Sequence, residues 1–577
     1  MPILHRDFET RSTLDLTEVG AWRYAADPTT DVWCCAYAVD DGPVKLWVPG
    51  EPVPEEIQIA ARDPQWIVAA HNDAFETAIE RLIMAPRYGL PIVPIERHVC
   101  TMATALASAL PAKLKLVAEV LELSARKDDD GSKLMLQMAR PRKPRAGEDP
   151  NGIYWHDEPE KLERLYAYCR RDIDVERELH HRLPPLTASE QALWVFDQLI
   201  NQRGFYVDHP LLEAASQIAA EADRKVQDEL VRITDGALTS TNQTKAMQDW
   251  LGEHGCKVDG VGKTTLGHAL RRKGLDPVVR RVMELRISAA HAAAAKVDTL
   301  LSWRDADGRV RGTLRFCGAG TGRWTGTGPQ PQNFKRDSDN MEAKRLAVLS
   351  GDVAEVSSIC PPLQAVGDIA RAMISASPEH RFLIGDFSGV ESRVTAWISG
   401  QLSKTDQWSK FDKTGDPKDE PYYINGRNCG LPEDQARATG KTADLAFGYQ
   451  GGVAAWRKLA PDDDEASDED IIRYRDAWRR AHPHTTGFWK GINRAAVRAV
   501  RKPGTVIEYS KRLSITCDGS FLRFVLPSGR AISYPFPRLD PDKFDNLAVT
   551  FKDNTGVNGL IAVAAAAAHT AVCGPRI

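Results

Sequence analysis

The sequence predicts an α/β protein of several domains, and three observations lead there. Short β-like runs precede helical stretches over residues 1–185, residues 186 to about 305 are helical in pattern, and strand and helix patterns mix again beyond residue 310. At 577 residues, and with a usual domain size of roughly 150 residues, three or four domains are expected.

In the first region the β-branched and aromatic runs at 32–39, 44–48 and 66–70 read as strands, and the stretches at 74–84 and 160–179 read as helices. The Pro-rich, basic segment 141–150 reads as an exposed loop within that domain. Helical patterns at 211–233 and 278–303 define the second region. The third carries a strand-like run at 381–385, helices near 433–447 and 467–501, and a hairpin-like segment at 505–534.

Hydrophobic residues at 42% and charged residues at 27% are ordinary globular values. Ten cysteines are scattered without a C-x-x-C, so neither a disulfide framework nor a zinc site is indicated. That usage fits a reducing cytoplasm, and without a signal core or a membrane-length apolar window an intracellular, soluble protein is expected. A net charge of -4 argues against a uniformly basic nucleic-acid binder. A local basic cleft is still available from residues 269–315, where Arg271, Arg272, Lys273, Arg280, Arg281, Arg286, Lys296, Arg304, Arg309, Arg311 and Arg315 stand against five acids.

Asp7-Phe8-Glu9 lies at the end of a short N-terminal strand, where alternation puts both carboxylates on one face, able to share a hard cation. His71-Asn72-Asp73-Ala74-Phe75-Glu76 opens a helix. On a later helix Tyr168 and Asp172 are four residues apart and face the same way. In order, these segments resemble the three exonuclease motifs of the DEDD proofreading superfamily, over roughly residues 1–180. The resemblance implies an RNase H-like 3′-to-5′ exonuclease domain over 1–185. It casts Asp7, Glu9, Glu76 and Asp172 as ligands of two cations and Tyr168 as the group that orients the attacking water. The second motif usually ends in Asp. Here Glu76 stands there, a methylene longer, with Asp73 the nearest Asp.

A second set follows in the third region. Thr321-Gly322-Arg323-Trp324 with Pro331-Gln332-Asn333, then Asp386-Phe387-Ser388-Gly389-Val390-Glu391-Ser392-Arg393 after the apolar 382–384, then Arg437, Lys441, Leu445 and Tyr449 at four-residue intervals along a helix, resemble the primer–template segment, motif A and motif B of the family A DNA polymerases. The resemblance implies a right-hand polymerase: a helical linker and thumb over 186–310, then palm and fingers over 311–577. Asp386 would hold the catalytic metal. Glu391, Arg437, Lys441, Leu445 and Tyr449 would bind the nucleotide, and Thr321, Arg323, Gln332, Asn333 and Arg393 the DNA. Leu445 departs from the usual aromatic, with Phe447 two residues on. Leu526-Pro-Ser-Gly-Arg530 resembles a strand of the same family.

The implied function is template-directed DNA synthesis in replication with 3′-to-5′ proofreading. Two Mg²⁺ per active site are implied, with Mn²⁺ as a substitute, and the partners are primer–template and dNTPs. A monomer is expected, without a membrane, in the cytoplasm of a bacterium or phage-infected host. Two decoys fall away: Gly260–Thr264 lacks the first Gly of a phosphate loop and reads as a thumb turn, and His156-Asp157-Glu158 spells the motif C signature on the wrong side of motif A. No H-D-E follows motif B, where an Ala run ends at Ile577. The chain as written is therefore expected to stop before its second polymerase carboxylate and to extend primers slowly. Two narrower outcomes stay open, an exonuclease-only enzyme and a non-catalytic primer–template binder. The full Asp7, Glu9, Tyr168 and Asp172 set argues against the second.

Overall fold

The structure is a computed structural model and describes all residues except 127, 290–291, 336–338, 462–463, 542–546, 553–557 and 561–577. The search for motif C falls on the last of these and lies outside the described residues.

The N-terminal unit is a five-stranded mixed sheet. Its strands are β1 (Ile3–Arg11), β2 (Asp31–Val39), β3 (Lys45–Trp47), β4 (Ile67–Ala70) and β5 (His98–Cys100), in the order β3-β2-β1-β4-β5. Strand β1 pairs antiparallel with β2 and parallel with β4. It is longer than the sequence pattern suggests, so Asp7 sits mid-strand and not at its end. The parallel ladder with β4 covers only Ile3 to His5, and the β1–β2 register shifts between Glu9 and Thr10. Such a bulge re-aims side chains where a ladder ends. Helix α1 (Asp73–Ile79) follows β4. Helix α2 (Pro159–Arg182) crosses the sheet, packing Cys169 and Ile173 on Cys34, Ala36 and Ala38 of β2. The loop expected at 141–150 is largely irregular, with a single bridge between Arg142 and Tyr154.

Helix α3 (Ala188–Arg203) leads out of this unit, N-capped by the Thr187 hydroxyl. The helical middle continues with His209–Ile233, Thr244–Glu253, Lys263–Leu270, Pro277–Ala289 and Ala292–Trp303. One apolar core joins His209–Ile233 to Met341–Leu349 and Pro362–Ile369; another closes the tip around Leu251, Leu266 and Met283. Gly262 stands at the N-cap of Lys263–Leu270.

In the third region α4 (Val390–Ser399) and α5 (Glu433–Phe447) pack with Leu402–Thr414, Pro421–Asn428, Asp468–Ala481 and Pro483–Arg501. Helices Pro421–Asn428 and α5 touch backbone to backbone. A Cβ on Gly426 would fall 1.9 Å from the Ala436 carbonyl oxygen, and one on Gly440 1.9 Å from that of Tyr422, so only glycine fits at either place. The hairpin expected at 505–534 is a four-stranded antiparallel meander that ends in β6 (Phe521–Val525) and β7 (Ala531–Pro535). One expectation is corrected. Residues 381–385 form no strand, and Leu383 and Ile384 are 90% and 91% exposed. An apolar run becomes a strand only where a neighbour supplies ladder partners, and none of the described residues does so here.

Helix α5 is locked by one buried carboxylate. Asp444 is ion-paired with buried Lys404 and accepts from Asn425 Nδ2 at 3.1 Å and Trp478 Nε1 at 3.0 Å, so groups from three neighbouring helices converge on it. Removing one partner of a buried pair strands the other charge, at a cost of about 3–5 kcal/mol. Lys404→Met is therefore expected to lose amide hydrogen-exchange protection over residues 433–447, and Lys404→Met with Asp444→Leu to regain part of it. Equal protection in wild type and Lys404→Met would show that the pair does not hold α5.

Candidate active sites

In the N-terminal unit the strand period puts His5, Asp7 and Glu9 on the face of β1 covered by α2. His5 Nδ1 lies 2.5 Å from Glu176 Oε2, and Cys169 Sγ lies 3.6 Å from Asp7 Oδ2. These contacts fix α2 on the strand, and Tyr168 and Asp172 come with it, both buried. Glu76 arrives from α1. Its Oε2 accepts the Phe8 N–H at 3.1 Å, a donor just past the end of the β4 ladder. Burial and the nearby Asp7 charge hold the Glu76 carboxyl well above the usual carboxylate range.

The structure thus separates the two candidates for the second motif. Glu76 faces Asp7. Asp73 turns into the core, where His98 Nδ1 lies 3.0 Å from it and Thr77 donates to it at 3.2 Å. Arg6, on the opposite face of β1, pairs with Glu80 at 2.5 Å. Sequence reading missed Cys169. Asp7, Glu9 and Cys169 place ligand atoms within 4.8 Å of one another, but burial and the neighbouring Cys34 push the Cys169 thiol well up, and it stays a protonated core group. The carboxylates offer hard oxygen donors of the kind that fit a divalent cation.

The second site gathers around Glu391, in the first turn of α4. Arg323 Nη2 donates to Glu391 Oε1 at 2.6 Å and the Tyr449 hydroxyl to Glu391 Oε2 at 3.3 Å. Gly322, at φ 75°, makes the turn that delivers Arg323. Burial and the Glu391 charge raise the Tyr449 phenol, which keeps its proton and donates. Helix α5 ends at Phe447, so Tyr449 lies in the turn beyond it and not on the helical stripe. Phe447 is fully buried, its ring centroid 5.4 Å from that of Trp456, and cannot replace Leu445, which stays half-buried beside the site.

Arg437 and Lys441 are exposed on α5, and Arg437 is held by Glu420 at 2.5 and 3.0 Å. Asp386 is exposed at the end of the unpaired 381–385 segment. Arg393 pairs at the surface with Asp412, at 2.6 and 2.8 Å, over the Trp408 ring. Gln332 and Asn333 lie on an exposed single turn, and Thr321 lines a cavity of about 190 Å³ between the N-terminal unit and β6–β7. The basic stretch is partly committed inside the molecule: Arg281 pairs with Glu229, and Arg311 with Asp305 and Asp307.

Beneath Arg323 lies a contact that motif reading did not find. Trp324 Nε1 donates to Asp197 Oδ1 at 2.7 Å, and Gln198 and Asn201 donate to the same carboxylate at 2.9 and 3.2 Å. The signal was present in the sequence: Glu190, Asp197 and Asn201 fall at helical spacing among the buried positions of α3, where apolar residues are expected.

A chain that assembles a T-G-R segment, the Glu of motif A and the Tyr of motif B into one hydrogen-bonded cluster has the design of a nucleic-acid polymerase. No family model matches the chain. It is 30% identical over 568 residues to the DNA polymerase of Bacillus phage SP02, covering 96% of this chain and 85% of that protein. In fold it is similar to the polymerase domain of Pol1 from M. smegmatis, solved with DNA primer-template and dNTP, with a TM-score of 0.57, 14% identity, and coverage of 99% of this chain and 82% of that one. The chain belongs to the family A DNA polymerases, enzymes that synthesise DNA on a template with the help of divalent cations. Among the described residues no helix is long and apolar enough to cross a membrane.

Burial raises the Asp197 carboxyl to about 7. Its folded-state pKa exceeds its unfolded one, so its contribution to stability is full below about pH 4 and is lost as pH rises through about 7. Asp197→Asn keeps the oxygen that accepts from Trp324 and removes the titration. Its melting temperature, relative to wild type, is expected to climb between pH 5 and pH 8; a difference that does not change with pH would refute this.

Proposed function

We propose that this polymerase proofreads its own product, with residues 1–185 acting as a 3′-to-5′ exonuclease, 186–310 as linker and thumb, and 311–577 as palm and fingers. The observation that carries the reading is that Asp7 and Glu9 share the face of β1 covered by α2, the helix that carries Tyr168 and Asp172, while Glu76 of α1 reaches the Phe8 N–H beside Asp7. Two divalent cations per site, Mg²⁺ with Mn²⁺ as substitute, would activate water and stabilise the leaving oxygen. Asp7, Glu9, Glu76 and Asp172 would hold them. Tyr168 orients the attacking water.

At the second site Asp386 would hold the cation for synthesis, and Arg437 and Lys441 would take the triphosphate. Arg437 must exchange Glu420 for phosphate, so nucleotide binding competes with an existing ion pair. Leu445 and Tyr449 line the nucleotide, and Glu391 closes the space beside the sugar. Thr321, Arg323, Gln332 and Asn333 meet the primer–template duplex, while Arg393 acts through its hold on Asp412 and the Ser388 carbonyl. The protein works as a monomer in the cytoplasm of a bacterial or phage-infected cell.

Asp7→Ala and Asp172→Ala should each abolish magnesium-dependent shortening of a single-stranded 3′ end and leave duplex affinity nearly unchanged, because these groups hold metal and not DNA. Undiminished digestion by both would remove the site assignment. Glu391→Ala should admit ribonucleotides, read as a fall of about tenfold or more in the ratio of deoxynucleotide to ribonucleotide affinity of the primer–template complex. A constant ratio would place sugar selection elsewhere.

A further inference from the structure

Helix α3 stands between the two sites and holds both. One set of its side chains grips the N-terminal unit: Gln191 Nε2 donates to the His98 carbonyl at 2.8 Å, and Leu193 and Trp194 share a core with Ile95, Cys100, Ala103 and Leu106. Another set grips the segment that ends in Trp324. Asn201 exchanges two hydrogen bonds with the Leu314 peptide, at 2.9 and 3.0 Å, and Asp197 holds Trp324 at 2.7 Å. At the head of the helix Glu190 is ion-paired with Arg530, in the turn between β6 and β7. Arg530 Nη1 in turn donates to the Gly322 carbonyl at 3.1 Å. The residues flanking Arg323 are therefore each tied, directly or through Arg530, to a buried carboxylate of α3.

We propose that α3 is a strut that sets the position of the Thr321–Trp324 loop against the exonuclease unit. Asp197, and Glu190 acting through Arg530, are then positioning residues for the grip of Arg323 on primer–template. The geometry favours a rigid link over a solvated contact, because Glu190, Asp197, Asn201 and Arg530 are all buried, where an unmet hydrogen-bonding group is costly. A loop released from the strut keeps its arginine but loses its aim. Duplex binding should weaken while the exonuclease cleft, built from β1, α1 and α2, is untouched. The inference rests on the reading of Arg323 as a primer–template contact.

The test uses the full chain. Primer–template affinity is measured by fluorescence anisotropy in an Asp7→Ala background, and digestion of a single-stranded oligonucleotide with Asp7 intact. Trp324→Phe and Asp197→Ala are each expected to weaken duplex binding about tenfold, the loss typical of one buried hydrogen bond to a charged group. The double variant should be no worse than the weaker single. Asp197→Asn, which still accepts from the indole, should rescue binding, and single-strand digestion should stay within about twofold of wild type throughout. If Arg323→Ala weakens binding and Trp324→Phe and Asp197→Ala do not, the strut is overturned and the reading of Arg323 stands. If Arg323→Ala has no effect either, that reading fails and the inference with it. Parallel loss of single-strand digestion would mark a general folding defect and would also overturn the positioning role. Should Asp197→Ala not fold, Trp324→Phe and Glu190→Gln decide alone, since the first keeps an aromatic ring at the site and the second keeps its volume.

Discussion

A carboxylate taken out of water must be met by a cation or by several donors, and much of this molecule is organised around meeting that demand. Asp73 has His98, Glu80 has Arg6, Glu176 has His5, Asp444 has Lys404 and Glu190 has Arg530. Each pair joins elements far apart in sequence, so the charges act as specific fasteners between layers that apolar packing alone would leave free to slide. The N-terminal cleft is where the pattern changes. There burial, together with the like charge of Asp7 close by, raises Glu76, and neighbouring carboxylates form the kind of place a divalent cation occupies.

The same demand couples the two halves. Between the N-terminal unit and the third region the shared cores are small, formed by Leu193, Trp194, Phe316 and Cys317 on one side and by Phe521 against Val175 and Leu179 on the other. Apolar contacts of that size give adhesion without register. Register comes from the directional bonds of α3 to Leu314 and Trp324 and, through Arg530, to Gly322, and these position Arg323 where it meets Glu391. A short chain of contacts thus runs from β5, an edge strand of the N-terminal sheet, to the Tyr449 hydroxyl.

By itself the sequence determined the order and type of most elements and singled out most of the candidate functional residues. Strand alternation placed Asp7 with Glu9, four-residue spacing placed Tyr168 with Asp172 and aligned Arg437, Lys441 and Leu445, and these regularities belong to the local backbone. Only the tertiary structure decided between Glu76 and Asp73, because the choice depends on which carboxylate reaches the N–H that β4 leaves open on β1. It also decided that Phe447 is core, that Arg393 and part of the basic stretch are engaged within the protein, and that 381–385 lacks a strand partner. The roles of Asp197 and Glu190 belong to the same class. Helical spacing could flag them as polar residues on a buried face, but their partners Trp324 and Arg530 lie far along the chain, and hydrogen bonds across such separations leave no periodic trace in the sequence.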